Sequence, residues 1–374
     1  MENCISANCS NHSTLQPANV SSRDEIYKIF NILYAIISAL GMTGNVLVCC
    51  IVTKTRTCQF QSTEMFILSL GVTDMLANLV VIFLPDLIIP NSLYPYPIKH
   101  LAFFCPFIGS QYLLFYFGFT SLYTMMAISF ERWCAIAFPS RYRSIFKATN
   151  VKIIVACIWI LGLLLPIDNL LRYVENKNGS TPCHFILLSN DQSLDLAVYL
   201  TLEITRVFLP AAIIILIYCD CARRIWSTTV LRQSSIRSNR DVKIRKRVTL
   251  MVCTSAIVFL MCWLPNEIYF TLINFGLARL ESVGHRSAKT LIILNSCLNP
   301  FIYFATNSKY RLAIRQAFTC KKGVASSPTS LIEVECKAVT IIRCSQNSPK
   351  PVKITSVTKI KTDIELHLAD VCES

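Results

Sequence analysis

The chain has 374 residues, of which 53% are hydrophobic and only 16% are charged, and its net charge is +14. Soluble domains carry about 25% charged residues, so this composition excludes a water-soluble protein with a fully solvated surface. A positive net charge alone is compatible with nucleic-acid binding or with cations held at a membrane face, and the distribution of charge decides between them.

Seven apolar runs follow a polar N-terminal stretch. A helix of about 20 apolar residues crosses the hydrocarbon core of a bilayer, so each run predicts one membrane span. Seven buried helices of a soluble protein are disfavoured because too little polar surface remains to cover them. The predicted spans are Ile29–Thr53, Met65–Ile89, Leu101–Phe130, Ile153–Ile167, Leu196–Tyr218, Val248–Asn266 and Thr290–Ser308. We therefore predict an all-α membrane protein, with a seven-transmembrane helix bundle over residues 29–306.

The positions of Lys and Arg predict the orientation. The loops after the first, third and fifth spans hold fifteen of these residues, against eight on the opposite side. Cytoplasmic loops are rich in Lys and Arg, so the N-terminus is predicted outside and the C-terminus inside, at the plasma membrane. The cations then face anionic inner-leaflet lipid and acidic partners, which removes the support for nucleic-acid binding.

Residues 1–28 are predicted to form a glycosylated extracellular segment. They are polar and lack the apolar core of a cleaved signal peptide. All the Asn-x-Ser/Thr acceptor triplets fall on the predicted outer side, at Asn8, Asn11, Asn19 and Asn178.

The 18 cysteines show no metal-ligand spacing, and no metal cofactor is predicted from them. Cys105 opens the third span, and Cys183 is the only cysteine in the long loop between the fourth and fifth spans. A disulfide between them would hold that loop over the outer mouth of the bundle. A second bridge between Cys4 and Cys9 is also compatible with the sequence.

Asp74 lies in the middle of the second span, where a charge costs about 2.5–3.5 kcal/mol on insertion scales. Asn45, Ser121, Asn295 and Asn299 occur at similar depth in other spans. Gathered around Asp74, such oxygen ligands suit a sodium ion acting as an allosteric ligand. Alternatively, they form a hydrogen-bond network that only fixes helix packing. The sequence leaves both readings open.

Short motifs occur in a fixed order along the spans. They are GNVLV (44–48), LSLGVTDML (68–76), SFERW (129–133), Trp159, Pro210 with Tyr218, CWLP (262–265) and NPFIY (299–303). In this order the chain resembles rhodopsin-family (class A) G-protein-coupled receptors over roughly residues 26–318. The resemblance implies a receptor, not an enzyme, that binds an extracellular ligand and activates a heterotrimeric G protein by outward movement of the sixth helix.

The resemblance also assigns an activation switch. It implies that Glu131 holds Arg132 sideways at rest and that Arg132 is released to face the G protein. Many family members pair this arginine with an acid on the sixth helix, where this chain has Arg245, so we expect raised basal activity. The other implied switch residues are Pro210, Tyr218, Phe259, Trp263, Pro265, Asn299, Pro300 and Tyr303.

The ligand is predicted from the polar residues near the outer ends of the spans. Amine receptors and opsins are disfavoured because their ligand-binding Asp and Lys are replaced by Leu114 and Ile293. Charges of both signs favour a neuropeptide or peptide hormone over a lipid or other small molecule, although Glu203 and Arg206 also suit simple mutual neutralisation. The candidate ligand-binding residues are Asp86, Gln111, Glu203, Arg206, Asn266, Glu267 and Lys289.

The start of the third span departs from the family pattern. Cys105 lies 27 residues before Arg132, two more than the usual family spacing. The span therefore either begins with an additional half turn or contains a bulge, and the residues between Cys105 and Gly118 are shifted in the pocket accordingly.

The C-terminal part divides in two. Residues 307–320 carry an amphipathic pattern typical of a juxtamembrane eighth helix on the inner leaflet, followed by Cys320 as a predicted palmitoylation site. Residues 321–374 are rich in Ser, Thr and Lys and predict a disordered cytoplasmic tail. Phosphorylation there by a receptor kinase would recruit arrestin, and the alternative is a passive tail.

Two other functional classes remain as alternatives. A secondary transporter often shows repeats and broken, Gly-rich spans, and the chain shows no internal repeat. An intramembrane enzyme requires a paired catalytic constellation, and none of the five His lies in the middle of a predicted span.

Overall fold

A computed structural model of the chain describes residues 18–54, 62–85, 87–89, 100–176, 182–231, 236–279 and 282–319. The described helices through Ala317 belong to one compact unit. Several predicted features lie outside the described residues: Asn8, Asn11, Asp86, Asn178, Cys320 and the tail 321–374.

Seven long helices follow the order of the predicted spans. They are α1 (Ala18–Lys54), α2 (Ser62–Phe83), α3 (Tyr112–Ala137), α4 (Ala148–Leu164), α5 (Leu209–Leu231), α6 (Ile236–Asn274) and α7 (Val283–Thr306). A helix bonds all its backbone groups internally, which hydrocarbon requires. An eighth helix, α8 (Ser308–Thr319), occupies the segment predicted to lie along the inner leaflet.

The outward faces of the bundle are apolar. Within the described residues, six helical stretches are long and apolar enough to cross a membrane, and each includes all or part of one of the helices α1 to α6. On α1 the exposed residues Ile29, Ile32, Leu33, Ile36 and Leu40 recur at helical spacing. A stripe of this kind faces lipid in a membrane protein, whereas in water it would drive association.

α7 contains no stretch as apolar as those in α1 to α6, and it buries several polar side chains. Asn295, Ser296 and Asn299 all lie inside the bundle. The helix nevertheless packs against both α6 and α1. It therefore completes the seven-helix bundle, and its polar face is turned toward the protein interior.

The helices extend beyond the apolar runs. α1 begins at Ala18, so the predicted acceptor Asn19 lies in its first turn, and α5 and α6 reach Leu231 and Ile236 in the basic segment between them. The end of an apolar run marks where a helix leaves the hydrocarbon, and a helix continues into water where its residues favour it.

The third span contains a bulge, which resolves the alternative left open by the sequence. A helical turn at Leu101–Phe104 is followed by a π-helical turn at Cys105–Gly109, where Ser110 N donates to Cys105 O at 2.9 Å. Gln111 then takes a left-handed conformation with φ 57° before α3 begins. A π turn accommodates additional residues without interrupting the helix. The additional residues between Cys105 and Arg132 are therefore accommodated before Tyr112, where α3 begins.

A short hairpin lies between α4 and α5. β1 (Tyr173–Glu175) pairs antiparallel with β2 (Cys183–Phe185), with Val174 opposite His184. The predicted disulfide between Cys105 and Cys183 is present, with 5.5 Å between the Cα atoms. The hairpin is therefore fixed to the π-helical turn at the outer end of the third span.

Candidate functional site

An open cavity lies among the helix ends on the side of the bundle that carries the hairpin, and its empty space, with the solvent at its mouth, amounts to about 1130 Å³. Tyr173 and Phe185 of the hairpin and Trp263 of α6 contribute to its wall. All the candidate ligand-binding residues in the described part of the chain line this cavity: Gln111, Glu203, Arg206, Asn266, Glu267 and Lys289. The fold thus brings together residues that come from five different segments of the sequence.

Arg206 joins two segments at one wall of the cavity. Its guanidinium donates to Glu203 through Nε at 3.0 Å and to Asp168 Oδ1 through Nη1 at 2.7 Å. It also lies over the Phe119 ring, 5.3 Å from the centroid. The mutual neutralisation of Glu203 and Arg206 considered from the sequence is therefore present but incomplete, because Arg206 is shared with Asp168. Sequence reasoning missed Asp168, which the sequence shows only as an interruption after the fourth apolar run.

A second buried ion pair supports the loop that carries the hairpin. Arg172 Nη1 donates to Asp195 Oδ2 at 2.8 Å, and Asp195 Oδ1 accepts the Leu188 N–H at 2.8 Å. Arg172 lines the cavity, while its Nε and Nη2 have no hydrogen-bond partner among the described residues. This pair could not be predicted from the sequence, because both residues flank loops and resemble ordinary surface charges.

The predicted sodium-site residues lie around Asp74, below the outer cavity. Ser121 Oγ donates to Asp74 Oδ1 at 2.9 Å, and Asn299 Nδ2 donates to Oδ2 at 2.8 Å. Asp74 is buried, and Asn295 lines the same small cavity, with its Oδ1 lacking a partner among the described residues. Asn45 instead bonds the carbonyl oxygens of Gly41 and Ser296.

Trp263 separates the two cavities and lines both of them. Its indole stacks on Phe259, with ring centroids 5.7 Å apart and planes at 9°, and it packs against Phe119 at 5.8 Å. On α3 it faces Gly118, where an added Cβ would lie 2.6 Å from Cη2 of the indole. The absence of a side chain at position 118 is therefore what leaves room for Trp263.

Glu131 and Arg132 lie at the inner end of α3, and both are buried. Arg132 Nε donates to Glu131 Oε2 at 2.5 Å, and Arg132 Nη2 also bonds Glu131. Ser62 Oγ donates to Glu131 at 2.6 Å, Thr63 donates at 3.1 Å, and the Tyr142 hydroxyl donates as well. This arrangement turns the arginine sideways along α3, as the motif predicts for a resting state.

Tyr142 belongs to the short helix Pro139–Ile145 after α3. Burial and the neighbouring Glu131 carboxylate raise the pKa of its phenol, so it remains a neutral donor. The hydroxyl also accepts from Arg132 Nη2 at 3.0 Å. The segment after α3 thereby contributes directly to holding Arg132.

The motifs follow the order of one family along the sequence. The model of the family described as 7 transmembrane receptor (rhodopsin family) matches residues 44–303. The chain belongs to this family. The fold class and the family predicted from the motifs are confirmed, and the transporter and intramembrane-enzyme alternatives are set aside.

The receptor is similar to several curated proteins. It is 25% identical over 297 residues to galanin receptor 2a of Danio rerio, with 78% of each chain covered. It is 26% identical over 311 residues to the allatostatin-A receptor of Bombyx mori, covering 79% of this chain and 81% of the relative. It is 28% identical over 208 residues to the substance-P receptor of Homo sapiens, covering 54% and 51%.

Hydrogen bonds connect α3 and α5 next to Arg132 in this receptor. Trp133 Nε1 donates to Asp220 Oδ2 at 2.8 Å, and Arg224 Nε donates to the same oxygen at 2.6 Å. Nearby, Ser129 Oγ donates to the Tyr218 hydroxyl at 3.0 Å. The sequence shows Trp133 only as part of the motif SFERW, which does not reveal its bond to Asp220.

The remaining switch residues line the interior of α5, α6 and α7. Pro210 and Phe259 are buried, and Pro265 and Pro300 lie inside α6 and α7. Tyr303 packs on Tyr310 of α8 at 5.6 Å between ring centroids. The side chain of Arg245 lies outside the described residues, so the expectation of raised basal activity remains a prediction.

We predict that Gly118→Ala destabilises the receptor by about 1–3 kcal/mol, because the new methyl group overlaps the Trp263 indole. Thermal unfolding of the purified protein, followed with a thiol-reactive dye, measures the effect. The double variant Gly118→Ala/Trp263→Phe is the control, since the shorter ring relieves the overlap. Equal midpoints for the single variant and the wild type would contradict the proposed contact.

Proposed function

We propose that this receptor binds an extracellular peptide in the outer cavity and activates a heterotrimeric G protein at its inner face. The observation that carries the proposal is the cavity itself, which is open and holds buried charges of both signs. The relatives named as galanin, allatostatin-A and substance-P receptors support a peptide ligand. The N-terminus and the hairpin lie outside the cell in this proposal, and the receptor acts at the plasma membrane.

The unpaired polar atoms in the cavity favour a peptide over a lipid. Arg172 offers two buried donor nitrogens, Nε and Nη2, without partners among the described residues, and Glu203 Oε2 offers an acceptor. A buried polar atom without a hydrogen bond costs about 1–3 kcal/mol. A peptide carries carbonyl and N–H groups along its whole length and can meet both needs, whereas an acyl chain can meet neither.

Activation follows from the position of Trp263 between the cavities. A ligand that presses on Trp263 also moves Phe259, since the two rings are stacked. α6 contains Pro265, which removes a backbone hydrogen bond and lets the helix pivot, so a small displacement above becomes a larger one below. Arg132 then leaves Glu131 and faces the G protein, which meets the basic inner ends of α5 and α6.

We also propose binding partners at the cytoplasmic face. α8 is amphipathic and would lie on inner-leaflet lipid. The Ser- and Thr-rich tail would be phosphorylated by a receptor kinase and would then bind arrestin.

We also propose that sodium binds at Asp74 as an allosteric ligand. The carboxylate, Ser121 Oγ and Asn295 Oδ1 are hard oxygen donors of the kind that suit a small cation. The Asn295 oxygen has no partner among the described residues, which packing alone leaves unexplained. Asn299 Nδ2 donates to the carboxylate and would hold it in place beside the ion.

The peptide proposal is tested with a library of amidated synthetic peptides on cells that express the receptor. We expect some pools to raise calcium or lower cyclic nucleotide, and we expect Arg172→Gln to weaken the response because a buried donor pair is lost. Untransfected cells are the control. A lipid extract that activates while every peptide pool is silent would contradict the proposal.

We predict that Trp133→Phe raises basal G-protein activation about two- to ten-fold, the range that one hydrogen bond supports. Phe keeps the ring but loses the N–H that reaches Asp220. GTPγS binding in membranes, normalised to receptor amount, measures it. Asp220→Ala should act in the same direction, whereas Asp220→Asn keeps an acceptor and serves as the conservative control. Unchanged basal activity in Trp133→Phe and Asp220→Ala would show that the bond restrains nothing.

The sodium proposal predicts that NaCl, compared with N-methyl-D-glucamine chloride, raises the thermal midpoint of the wild type but not of Asp74→Asn. The neutral amide keeps the size of the side chain and removes the charge that attracts the ion. Asp191→Asn, an exposed helix cap that Asn can replace, is the matched control. Equal sodium effects in Asp74→Asn and the wild type would leave hydrogen bonding as the role of Asp74.

A further inference from the structure

Two glutamates from different helices meet in the outer cavity. Glu203 ends the helix Gln192–Glu203, Glu267 lies on α6, and their carboxyl groups contact each other. Their residues are only 1% and 3% exposed. Two ionised carboxylates in contact repel each other, and removal of water strengthens the repulsion.

Arg206 faces both glutamates but compensates them only in part. Its guanidinium also binds Asp168 at 2.7 Å, so one cation faces three acids. Glu267 receives a hydrogen bond from Asn266 Nδ2 at 3.2 Å, which contributes no charge. Among these four charged side chains three are acidic and one is basic, and the cavity is also lined by Arg172 and Lys289.

One oxygen of this pair is left without a donor. Glu203 Oε2 is buried and has no hydrogen-bond partner among the described residues. Buried carboxylate oxygens are bonded in the large majority of proteins, so a donor is missing here. A proton shared with Glu267 would supply this bond in the empty cavity. Both glutamates line the cavity, so a cation bound there would supply the bond and the charge together. Water can supply a hydrogen bond but not the missing positive charge.

We propose that Glu203 and Glu267 together bind a cationic group of the ligand, either the side chain of Arg or Lys or a free N-terminal amine. A guanidinium presents several N–H groups in one plane and can bond two carboxylates at once. An ammonium supplies three donors and the same charge. The inference rests on the proposed function and deepens it, because it specifies the charge of the peptide at the α6 wall.

Agmatine, a small molecule with a guanidinium and an ammonium, tests the site without any peptide. We expect agmatine to raise the thermal midpoint of the full-length purified receptor and to have no effect on Glu267→Gln. Glu267→Gln retains every described bond of Arg206, so it is the cleaner variant, and Glu203→Gln is the second. Glu25→Gln, an exposed acid on α1, is the matched control and should respond as the wild type does. Equal agmatine shifts in the wild type and both cavity variants would overturn the proposal.

Active peptides from the library give the second test. Each basic residue is replaced in turn by citrulline or norleucine, and the N-terminus is acetylated in a separate analogue, which distinguishes the two sources of charge. We expect one neutral analogue to lose at least about 30-fold in potency on the wild type, as loss of a buried charge pair does. On Glu267→Gln the parent peptide should show the same loss and the neutral analogue no further loss.

Different results would contradict the cationic site and the peptide function on which it rests. If active peptides retain their potency after every neutral replacement, the cationic site is wrong while the peptide receptor stands. If no peptide activates the receptor but agmatine still binds through Glu267, the proposed peptide function is wrong and the cationic site stands.

Discussion

Hydrocarbon offers no hydrogen bonds, and this constraint organises the whole receptor. Every polar side chain in the spans has to find its partner inside the bundle, because an unsatisfied group costs several kcal/mol there. The polar residues accordingly collect at three depths, around Arg206 near the outer end, around Asp74 in the middle, and around Glu131 at the inner end. Apolar residues, with Trp263 among them, separate these clusters. The receptor is thus a stack of small polar sites joined by packed helices, and a change at one site reaches the next through those helices.

The same constraint explains why much of the fold could be predicted from the sequence. Apolar runs are long and rarely interrupted, so they reveal the number and order of the spans without any knowledge of contacts. The motifs then predict correctly which helices carry Asp74, Arg132 and Trp263. The position of each residue along its helix sets its depth in the membrane. Helix ends were predicted less well: α1 starts well before its apolar run, because helix formation outside the membrane depends on residues that the hydropathy pattern does not register.

Contacts between distant segments could not be predicted. Asp168 and Arg172 lie four and eight residues after the end of α4, yet one binds Arg206 and the other binds Asp195. Trp133 and Asp220 are 87 positions apart. Each of these residues, taken alone, resembles a boundary charge or a membrane-interface aromatic. Only the folded chain shows that they are paired, and only the folded chain shows which atoms, such as Glu203 Oε2, remain without a partner.

The π-helical turn before α3 has a practical consequence for comparing receptors. Positions below Tyr112 can be matched by counting back from Arg132, but positions between Cys105 and Gln111 have to be counted forward from the disulfide. Gln111 and Leu114, only three residues apart, therefore fall on opposite sides of a numbering break. If pocket residues are assigned from a relative by counting along the sequence alone, the residues between Cys105 and Gln111 are matched to the wrong positions. Docking or mutagenesis based on that assignment would then test the wrong side chains.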